Sequence, residues 1–465
     1  MKRSTSIFAV LFFLCGLTAE GADLSISNNA IVCFFGDSWN YDPDPSASTN
    51  IAGFRMEAYV HSYLALNYPQ YSLFFYNWSR SGGTMDDMLT NRLQRLGLPV
   101  WGYQSNNFQH IGIACMTDNG GLDSNGMYLA MSNVFQAPRI MSDGGTALNS
   151  QSGWASTATV QWIGLGEPPL EGPGPDTAQR DRNDATTNAG PRLGLRGIDI
   201  WNPLSQSWTN DYIANGGTNI QWFGAPKAGH FASGGALSWA LAILKSITTD
   251  TNISTCIADW AGSVVATNHC VLSGVSQSGN TLTFNRLDDR LPMAWDVPDG
   301  TITNNATTAF NLAPGDANYF QFTLQITNLP AGNYIVKIDG ATVAVLPQAV
   351  LAGGWNMFTN YTGPYWAQRK EVLGLIRDLE YVNRVTLIPG SAGDQLGLVA
   401  LGSNLDTQWG LGKRGDDLIA AGNAKVAQVN TNSAFSFAAI RAAAQPTNHT
   451  FTIALAAPIF APFHK

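Results

Sequence analysis

Short segments made only of apolar residues alternate with helix-like segments between residues 24 and 250, and this alternation restricts the possible folds more than any other feature of the chain. The pattern predicts strands at 30–35, 73–76, 111–116 and 159–163 and helices at 54–66 and 237–247. A strand without a polar face needs cover on both sides, which helices on both faces of a parallel sheet provide. We therefore expect residues 23–250 to form an α/β domain with a parallel sheet.

The first 22 residues have the features of an export signal. Lys2 and Arg3 precede an apolar run at 7–17, and small residues follow it. This pattern predicts a cleaved signal peptide at 1–22 and therefore a secreted or periplasmic protein. The run is too short to span a bilayer, and no other stretch of the sequence is long and apolar enough to do so.

The remaining segments differ from the α/β region in composition and in the pattern of apolar residues. Residues 164–190 are rich in Gly, Pro, Asp and Asn, which predicts a long surface loop. Residues 255–350 alternate in polarity between turn signals, which predicts a β-rich, antiparallel accessory domain. Residues 351–465 are expected to hold a helix at 366–379 and then a mixed C-terminal region with an Ala-rich helix at 438–444.

Charge excludes one class of partner. The 465-residue chain has 25 basic and 33 acidic residues, for a formal net charge of −8. A protein that binds nucleic acid needs basic surface to neutralise phosphates, so we expect no nucleic-acid partner.

The cysteines are expected to have different states. Cys256 and Cys270 are close in sequence among polar turns, and they would pair in an oxidising compartment. Cys33 and Cys115 are in apolar strand patterns, which favours buried free thiols.

The first candidate for chemistry is Gly36-Asp37-Ser38, directly after the first apolar strand. A serine at a strand-to-helix turn is held clear of the sheet, close to backbone N–H groups that stabilise developing negative charge. Open α/β sheets bind their ligands at this end of the strands. The tripeptide is also common turn material, so its position after the strand is what favours Ser38 as a nucleophile.

Two segments resemble conserved blocks of the SGNH (GDSL-type) hydrolases, a family of esterases and lipases. Residues 31–38 (Ile-Val-Cys-Phe-Phe-Gly-Asp-Ser) match the first block, and residues 77–84 (Asn-Trp-Ser-Arg-Ser-Gly-Gly-Thr) match the second. The resemblance implies a flavodoxin-like three-layer α/β/α SGNH domain with Ser38 as nucleophile and the N–H of Gly82 in the oxyanion hole. A plain glycine turn after a strand is the alternative for the second segment.

The third block of the family reads Gly-x-Asn-Asp, and its asparagine donates to the oxyanion. Here residues 115–119 read Cys-Met-Thr-Asp-Asn, with Thr117 in place of that asparagine and Asp118 after it. Either the Thr117 hydroxyl or the Asn119 amide would then be the donor. Loss of one such donor costs on the order of a hundred- to a thousandfold in rate.

The fourth block supplies the general base. The best match is His230, just before the apolar helix, and it implies that His230 takes the proton of Ser38. The family has an aspartate three residues earlier, where this chain has Lys227, and a nearby cation disfavours the imidazolium form. A backbone carbonyl or Asp199 would then orient the ring. A second register, with His230 as the later histidine of the block, leaves no base.

The resemblance implies a secreted serine ester hydrolase that deacylates carbohydrate or a similar small ester through a Ser–His acyl-enzyme. Residues 329–340 resemble a β unit of secreted bacterial SGNH proteins that act on polysaccharides. No cofactor is expected, and no zinc, phosphate-loop or dinucleotide pattern is present in the sequence. The altered third and fourth blocks motivate the alternative, a non-catalytic carbohydrate-binding or adhesion protein on a degenerate SGNH fold. An acyltransferase or lipase is the third possibility.

Overall fold

The computed structural model describes residues 23–36, 56–77, 79, 109–115, 125–126, 129, 160–165, 177–193, 196–217, 233–295, 307–387 and 436–456. The predicted signal peptide therefore lies outside the described residues. In the described parts of the chain, no helix is both long and apolar enough to cross a membrane.

The first sheet is five-stranded and wholly parallel. Its strands are β1 (Ile31–Phe35), β2 (Phe74–Asn77), β3 (His110–Cys115), β4 (Val160–Leu165) and β5 (Arg196–Ile198). Their order in the sheet is β2-β1-β3-β4-β5, which is the flavodoxin-like order. The predicted α/β domain is confirmed, and the four predicted strands lie within a few residues of β1 to β4. The short β5 was not predicted.

Four helices of this part of the chain lie within the described residues. They are α1 (Met56–Asn67), α2 (Thr177–Leu193), α3 (Trp201–Ala214) and α4 (Ser233–Ile247). All twelve residues of α1 are buried, because α1 packs against helix α4 and against the helix at Gly363–Leu387, while its His61 ring contacts Phe34 and Phe75 of the sheet. A helix covered on every side carries apolar residues all round, which explains why its sequence has no polar stripe.

The predicted surface loop at 164–190 is wrong over much of its length. Residues 164 and 165 belong to β4, and α2 begins at Thr177. The polar residues that suggested a loop instead make internal hydrogen bonds: the Asn183 side chain accepts from the backbone N–H groups of Ile200 and Trp201. Helix α2 also lies so close to β5 that a Cβ added at Gly197 would be 2.7 Å from the Thr186 carbonyl oxygen.

The accessory region contains two sheets. One has the order β13-β10-β6-β7, from β6 (Asn252–Asp259), β7 (Ser263–Asn268), β10 (Gln321–Thr327) and β13 (Trp355–Asn356). The other has the order β12-β11-β14-β9-β8, from β8 (Cys270–Ser278), β9 (Thr281–Asp288), β11 (Asn333–Ile338), β12 (Ala341–Pro347) and β14 (His449–Leu455). The predicted antiparallel pairing is correct for all of these neighbours except β6 and β10, which are parallel.

The remaining elements are mostly helical. They are α5 (Thr307–Leu312), α6 (Gln348–Gly353), α7 (Gly363–Leu387) and α8 (436–444), with 3₁₀ turns at Pro314–Asn318 and Met357–Thr359. The helices predicted at 366–379 and 438–444 are therefore present. Contacts join the accessory region to the α/β domain: the Leu291 N–H donates to the Leu66 carbonyl at 2.9 Å, and the rings of Tyr63 and Phe320 are 5.1 Å apart.

A buried charge cluster centred on Arg286 connects the two accessory sheets with α7. Arg286 donates to the Asp288 carboxylate at 2.9 Å, to the Ser254 hydroxyl at 2.9 Å and to the Thr323 carbonyl at 3.1 Å. The Tyr365 hydroxyl donates to the other Asp288 oxygen at 2.6 Å. Burial by itself lowers the pKa of Arg286, but the Asp288 carboxylate together with the nearby Cys256, Tyr365 and Cys270 groups raises it by more, so the pKa lies above its ordinary value. The arginine is therefore a charged group fully paired inside the protein.

The predicted disulfide between Cys256 and Cys270 is wrong for this structure, in which both are free thiols. Cys270 Sγ donates to the Thr255 carbonyl at 3.2 Å instead. Cys256 is fully buried on β6, and burial raises the pKa of its thiol to about 12, so it stays protonated. Cys33 is buried and forms no disulfide, as predicted, and the side chain of Cys115 lies outside the described residues.

Candidate active site

The carboxyl ends of β1, β2 and β3 meet at one edge of the parallel sheet, here called the carboxyl edge. Phe34 on β1 is opposite Asn77 on β2, and Phe35 is opposite Ala114 on β3. The neighbouring strand ends are about 5 Å apart, as in any sheet. Three segments of chain therefore leave the sheet side by side at this edge.

These three segments carry most of the predicted site residues. Asp37 and Ser38 follow the end of β1 within three positions, Gly82 follows the end of β2 by five, and Thr117, Asp118 and Asn119 follow the end of β3 within four. The six residues themselves lie outside the described residues. Their assigned roles stay predictions.

Helix α4 directly follows the segment that carries the predicted base, His230, and its orientation relates that segment to the same edge. The carboxyl end of α4 lies at the opposite, amino edge of the sheet: the Leu24 N–H donates to the Ile247 carbonyl at 2.8 Å, and the Arg196 guanidinium donates to the Ser246 carbonyl. Arg196 is the first residue of β5, and Leu24 precedes β1. Helix α4 packs along α1, whose first turn reaches Asn77 at the carboxyl edge, and its fifteen residues extend about 22 Å, so α4 reaches from the amino edge toward that edge.

His230 and Lys227 precede the start of α4 by three and six positions. Both lie outside the described residues, so the contact between His230 and Ser38 stays a prediction. The described neighbours of the two residues are compatible with this contact: β1 ends at the carboxyl edge just before Ser38, and α4, which follows His230, reaches from the amino edge toward the carboxyl edge.

Asp199 is the one predicted site residue that the structure describes. It directly follows β5, and its carboxylate accepts from Asn183 Nδ2 at 2.9 Å, from the Asn202 backbone N–H at 3.1 Å and from Asn202 Nδ2 at 2.6 Å. Both oxygens therefore contribute to the start of α3. Three strand spacings separate β5 from β1, about 14 Å along the sheet. Its proposed role in orienting His230 stays a prediction.

A buried polar group at the carboxyl edge was missed by sequence reasoning. The Glu57 side chain, in the first turn of α1, is fully buried, and its Oε1 accepts from Asn77 Nδ2 at 3.0 Å. The Asn77 Oδ1 in turn accepts from the backbone N–H of Ser79 at 3.0 Å, and Ser79 is also buried. The sequence signal was present in an acidic residue within an otherwise apolar helix and an asparagine that ends an apolar strand.

His61 lies one helical turn after Glu57 and is also fully buried. Its ring is 5.0 Å from the ring of Phe34 and 4.7 Å from that of Phe75. Burial lowers the pKa of His61 to about 3. The imidazole is therefore neutral at physiological pH and packs as part of the core under β1 and β2.

Within the described ranges, no group of three or more His, Cys, Asp or Glu side chains is arranged to bind a metal ion.

Comparison with known proteins gives a likeness in structure only. No family model and no curated protein matches the sequence. A gut microbial diltiazem-metabolizing enzyme matches the structure with a TM-score of 0.66 at 13% identity, over 94% of this chain and 99% of that one. This match shows a shared fold across nearly the whole length of both proteins.

Smaller proteins match about half of the chain. An acetylxylan esterase from Geobacillus stearothermophilus has a TM-score of 0.32 and 16% identity, over 49% of this chain and 98% of that one. An aryl esterase from M. smegmatis has a TM-score of 0.31 and 12% identity, over 47% and 98%. The parallel β2-β1-β3-β4-β5 sheet, with Gly36-Asp37-Ser38 directly after its first strand, is the arrangement implied by the sequence blocks. The chain therefore shares the fold of the diltiazem-metabolizing enzyme, and its α/β domain has the flavodoxin-like strand order that the sequence blocks imply, followed by a β-rich accessory region.

Proposed function

We propose that the protein is a serine ester hydrolase whose active site lies at the carboxyl edge of the parallel sheet. The observation that carries the proposal is the common origin of four chain segments at that edge. Three follow β1, β2 and β3, and the fourth precedes α4. Ligand sites in open α/β folds lie at this edge, so the arrangement supports the roles assigned from the sequence blocks.

The proposed reaction has two steps that share one intermediate. The Ser38 oxygen attacks the ester carbonyl carbon while His230 takes the hydroxyl proton, and the same proton passes to the departing alcohol. The acyl group stays on Ser38 until water, deprotonated by His230, attacks it; the bond to the Ser38 oxygen then breaks, that oxygen takes the proton back from His230, and the carboxylic acid is released. The N–H groups of Ser38 and Gly82, with Thr117 or Asn119, stabilise the oxyanion in both steps.

The substrate is proposed to be an acylated carbohydrate or a similar small ester, and the protein is proposed to be secreted with residues 1–22 removed. The β unit at 329–340 and the export pattern of the sequence support these two parts of the proposal. The whole-chain likeness to an enzyme that metabolises a small molecule supports a catalytic over a purely structural role. No cofactor takes part in the proposed reaction.

Replacement of the nucleophile tests the proposal directly. We expect Ser38→Ala and His230→Ala each to lower kcat for p-nitrophenyl acetate by about a thousandfold or more, because either change removes the covalent route. Turnover is followed at 405 nm, and circular dichroism verifies that each variant is folded. Full turnover by a folded Ser38→Ala variant would refute the hydrolase.

The alternative function is a carbohydrate-binding or adhesion protein without catalysis. Thr117 and Lys227 favour it, because each stands where the family has a residue needed for rate. A fluorophosphonate probe separates the two functions. Labelling of the wild type but not of Ser38→Ala supports the hydrolase, whereas an unlabelled wild type that binds glycans supports the alternative.

A further inference from the structure

A hydrogen-bonded chain of three residues connects the start of α1 with the point where the backbone leaves β2. It consists of Glu57, Asn77 and the backbone N–H of Ser79, with both bonds at 3.0 Å. Glu57 is 0% exposed and Ser79 is 3% exposed, while Asn77 between them is partly buried. Bonds that are partly shielded from water restrict geometry more than bonds at the surface do.

A carboxyl group at this position is costly for folding. Every other residue of α1 is also buried, and most of them are apolar or aromatic. Replacement of both partners of a buried ion pair by well-packed apolar residues is often neutral or stabilising, so buried charge is weak evidence of a role in stability. Packing therefore does not explain Glu57, whereas its bond to the last residue of β2 gives it a definite structural task.

That task bears on the proposed oxyanion hole. Asn77 ends β2, and the segment that carries Gly82 continues directly from Ser79. The amide of Asn77 is held by Glu57 on one side and holds the Ser79 N–H on the other. The direction in which the chain leaves the sheet is thereby fixed three positions before Gly82.

We propose that Glu57 is a positioning residue for catalysis, which acts through Asn77 to orient the segment that supplies the Gly82 N–H to the oxyanion hole. This inference rests on the proposed function. An oxyanion donor acts only when it is accurately aimed, and a displacement of about 1 Å costs on the order of a hundredfold in rate. Glu57 therefore affects the rate of acyl transfer and leaves substrate binding nearly unchanged.

Three substitutions test the proposal with p-nitrophenyl acetate. We expect Glu57→Leu and Asn77→Leu each to lower kcat by about 10- to 100-fold and to change KM by less than about threefold. The oxyanion develops in the transition state and is absent from the bound substrate, so a misplaced donor affects kcat more than substrate binding. Glu57→Gln retains a carbonyl oxygen that accepts from Asn77, so its kcat stays within about threefold of the wild type. Ser62→Ala is the matched control: its hydroxyl is buried on the same helix but donates to the Tyr59 carbonyl, and kcat is unchanged.

The double variant Glu57→Leu/Asn77→Leu shows whether the two residues act as one unit. We expect its kcat to be close to that of Asn77→Leu and well above the product of the two single losses, because the Glu57–Asn77 bond is already lost in either single variant. Thermal unfolding is measured for every variant, so that a loss of kcat is separated from a loss of folded protein. A wild-type kcat for Glu57→Leu, or multiplicative losses in the double variant, would overturn the proposal.

The Ser38→Ala variant separates the positioning role of Glu57 from the proposed hydrolase activity. If Ser38→Ala loses turnover but Glu57→Leu does not, the positioning role fails and the hydrolase stands. If Ser38→Ala retains turnover, the proposed function fails, and with it the role of Glu57.

Discussion

Two buried ionisable side chains lie one turn apart on α1, and their surroundings give them different properties. Glu57 is bonded to Asn77, so its polar head is directed to the carboxyl edge of the sheet. His61 lies between the rings of Phe34 and Phe75, which bury its imidazole. Burial alone accounts for the low pKa of His61, about 3. Environment, more than residue type, decides what each group contributes.

The depressed pKa of His61 predicts a loss of stability in acid. Its pKa is about 3 in the folded protein and about 6.5 in the unfolded chain, so the unfolded chain binds more protons between pH 6.5 and pH 3. The free energy of unfolding therefore falls as the pH is lowered through this window, and the contribution of His61 to that fall is roughly 4 kcal/mol.

Urea unfolding of the wild type and of His61→Phe at a series of pH values measures this contribution. The stability of the wild type relative to the variant is expected to fall from pH 7 toward pH 4 and to be constant above pH 7. Ser62→Ala, on the same helix, is expected to keep the wild-type slope. A stability difference that does not depend on pH would contradict the buried, neutral state of His61.

At the level of elements, strand β14 shows how far apart in sequence the parts of one sheet can lie. It comes from the last 20 residues of the chain, yet it lies between β9 and β11 in the second accessory sheet. Phe451 on β14 stacks on Phe284 of β9, with ring centroids 5.1 Å apart. Residues 255–350 therefore complete their core only with a strand from the carboxyl end.

Substitutions on a central and an edge strand test this arrangement. Ile453→Ala, at a fully buried position of β14, is expected to cost about 3 kcal/mol of stability, because it leaves a cavity between paired strands. Val345→Ala, on the edge strand β12 with a side chain that is 61% exposed, is expected to cost less than about 1 kcal/mol. Denaturant unfolding gives both values. Equal costs would show that β14 is not a central strand.

At the level of the whole molecule, the Arg286 cluster makes the accessory sheets and α7 depend on one another. One guanidinium on β9 is bonded to Asp288 on the same strand, to Ser254 on β6 and to Thr323 on β10. The Tyr365 hydroxyl on α7 completes the coordination of Asp288. These groups are shielded from water. Removal of Arg286 or Asp288 therefore leaves the opposite charge, and the hydrogen bonds made to it, without a complementary partner.

We expect Arg286→Met to cost about 3–5 kcal/mol, because it leaves the Asp288 carboxylate buried and uncompensated. Arg286→Met/Asp288→Asn is expected to be more stable than Arg286→Met alone, since the second change removes that charge. Arg377→Met is the control: its ion pair with Asp378 lies on the surface of α7, with side chains 39% and 63% exposed, and contributes less than about 0.5 kcal/mol. Similar losses for the two arginine variants in urea unfolding would contradict the buried pair.

The sequence by itself determined the features that depend on neighbours along the chain. The apolar segments around Ile31, Phe74, Ile111 and Ile163 specified parallel strands, because strands with no polar face need cover on both sides. The same local pattern placed Gly36-Asp37-Ser38 after the first strand, and so predicted which edge of the sheet would hold a site. The roles of Ser38 and His230 stay predictions, based on the sequence segments that resemble the conserved blocks of the SGNH hydrolases.

Only the tertiary structure decided which distant residues meet. Glu57 and Asn77, Arg286 and Ser254, and β14 with β9 are separated by 20, 32 and about 165 positions. Periodicity along the chain carries no information about such pairs. Helix α2 was missed for the same reason, since its polar residues find their hydrogen-bond partners on the segment after β5, and that long-range contact outweighs their local preference for loops.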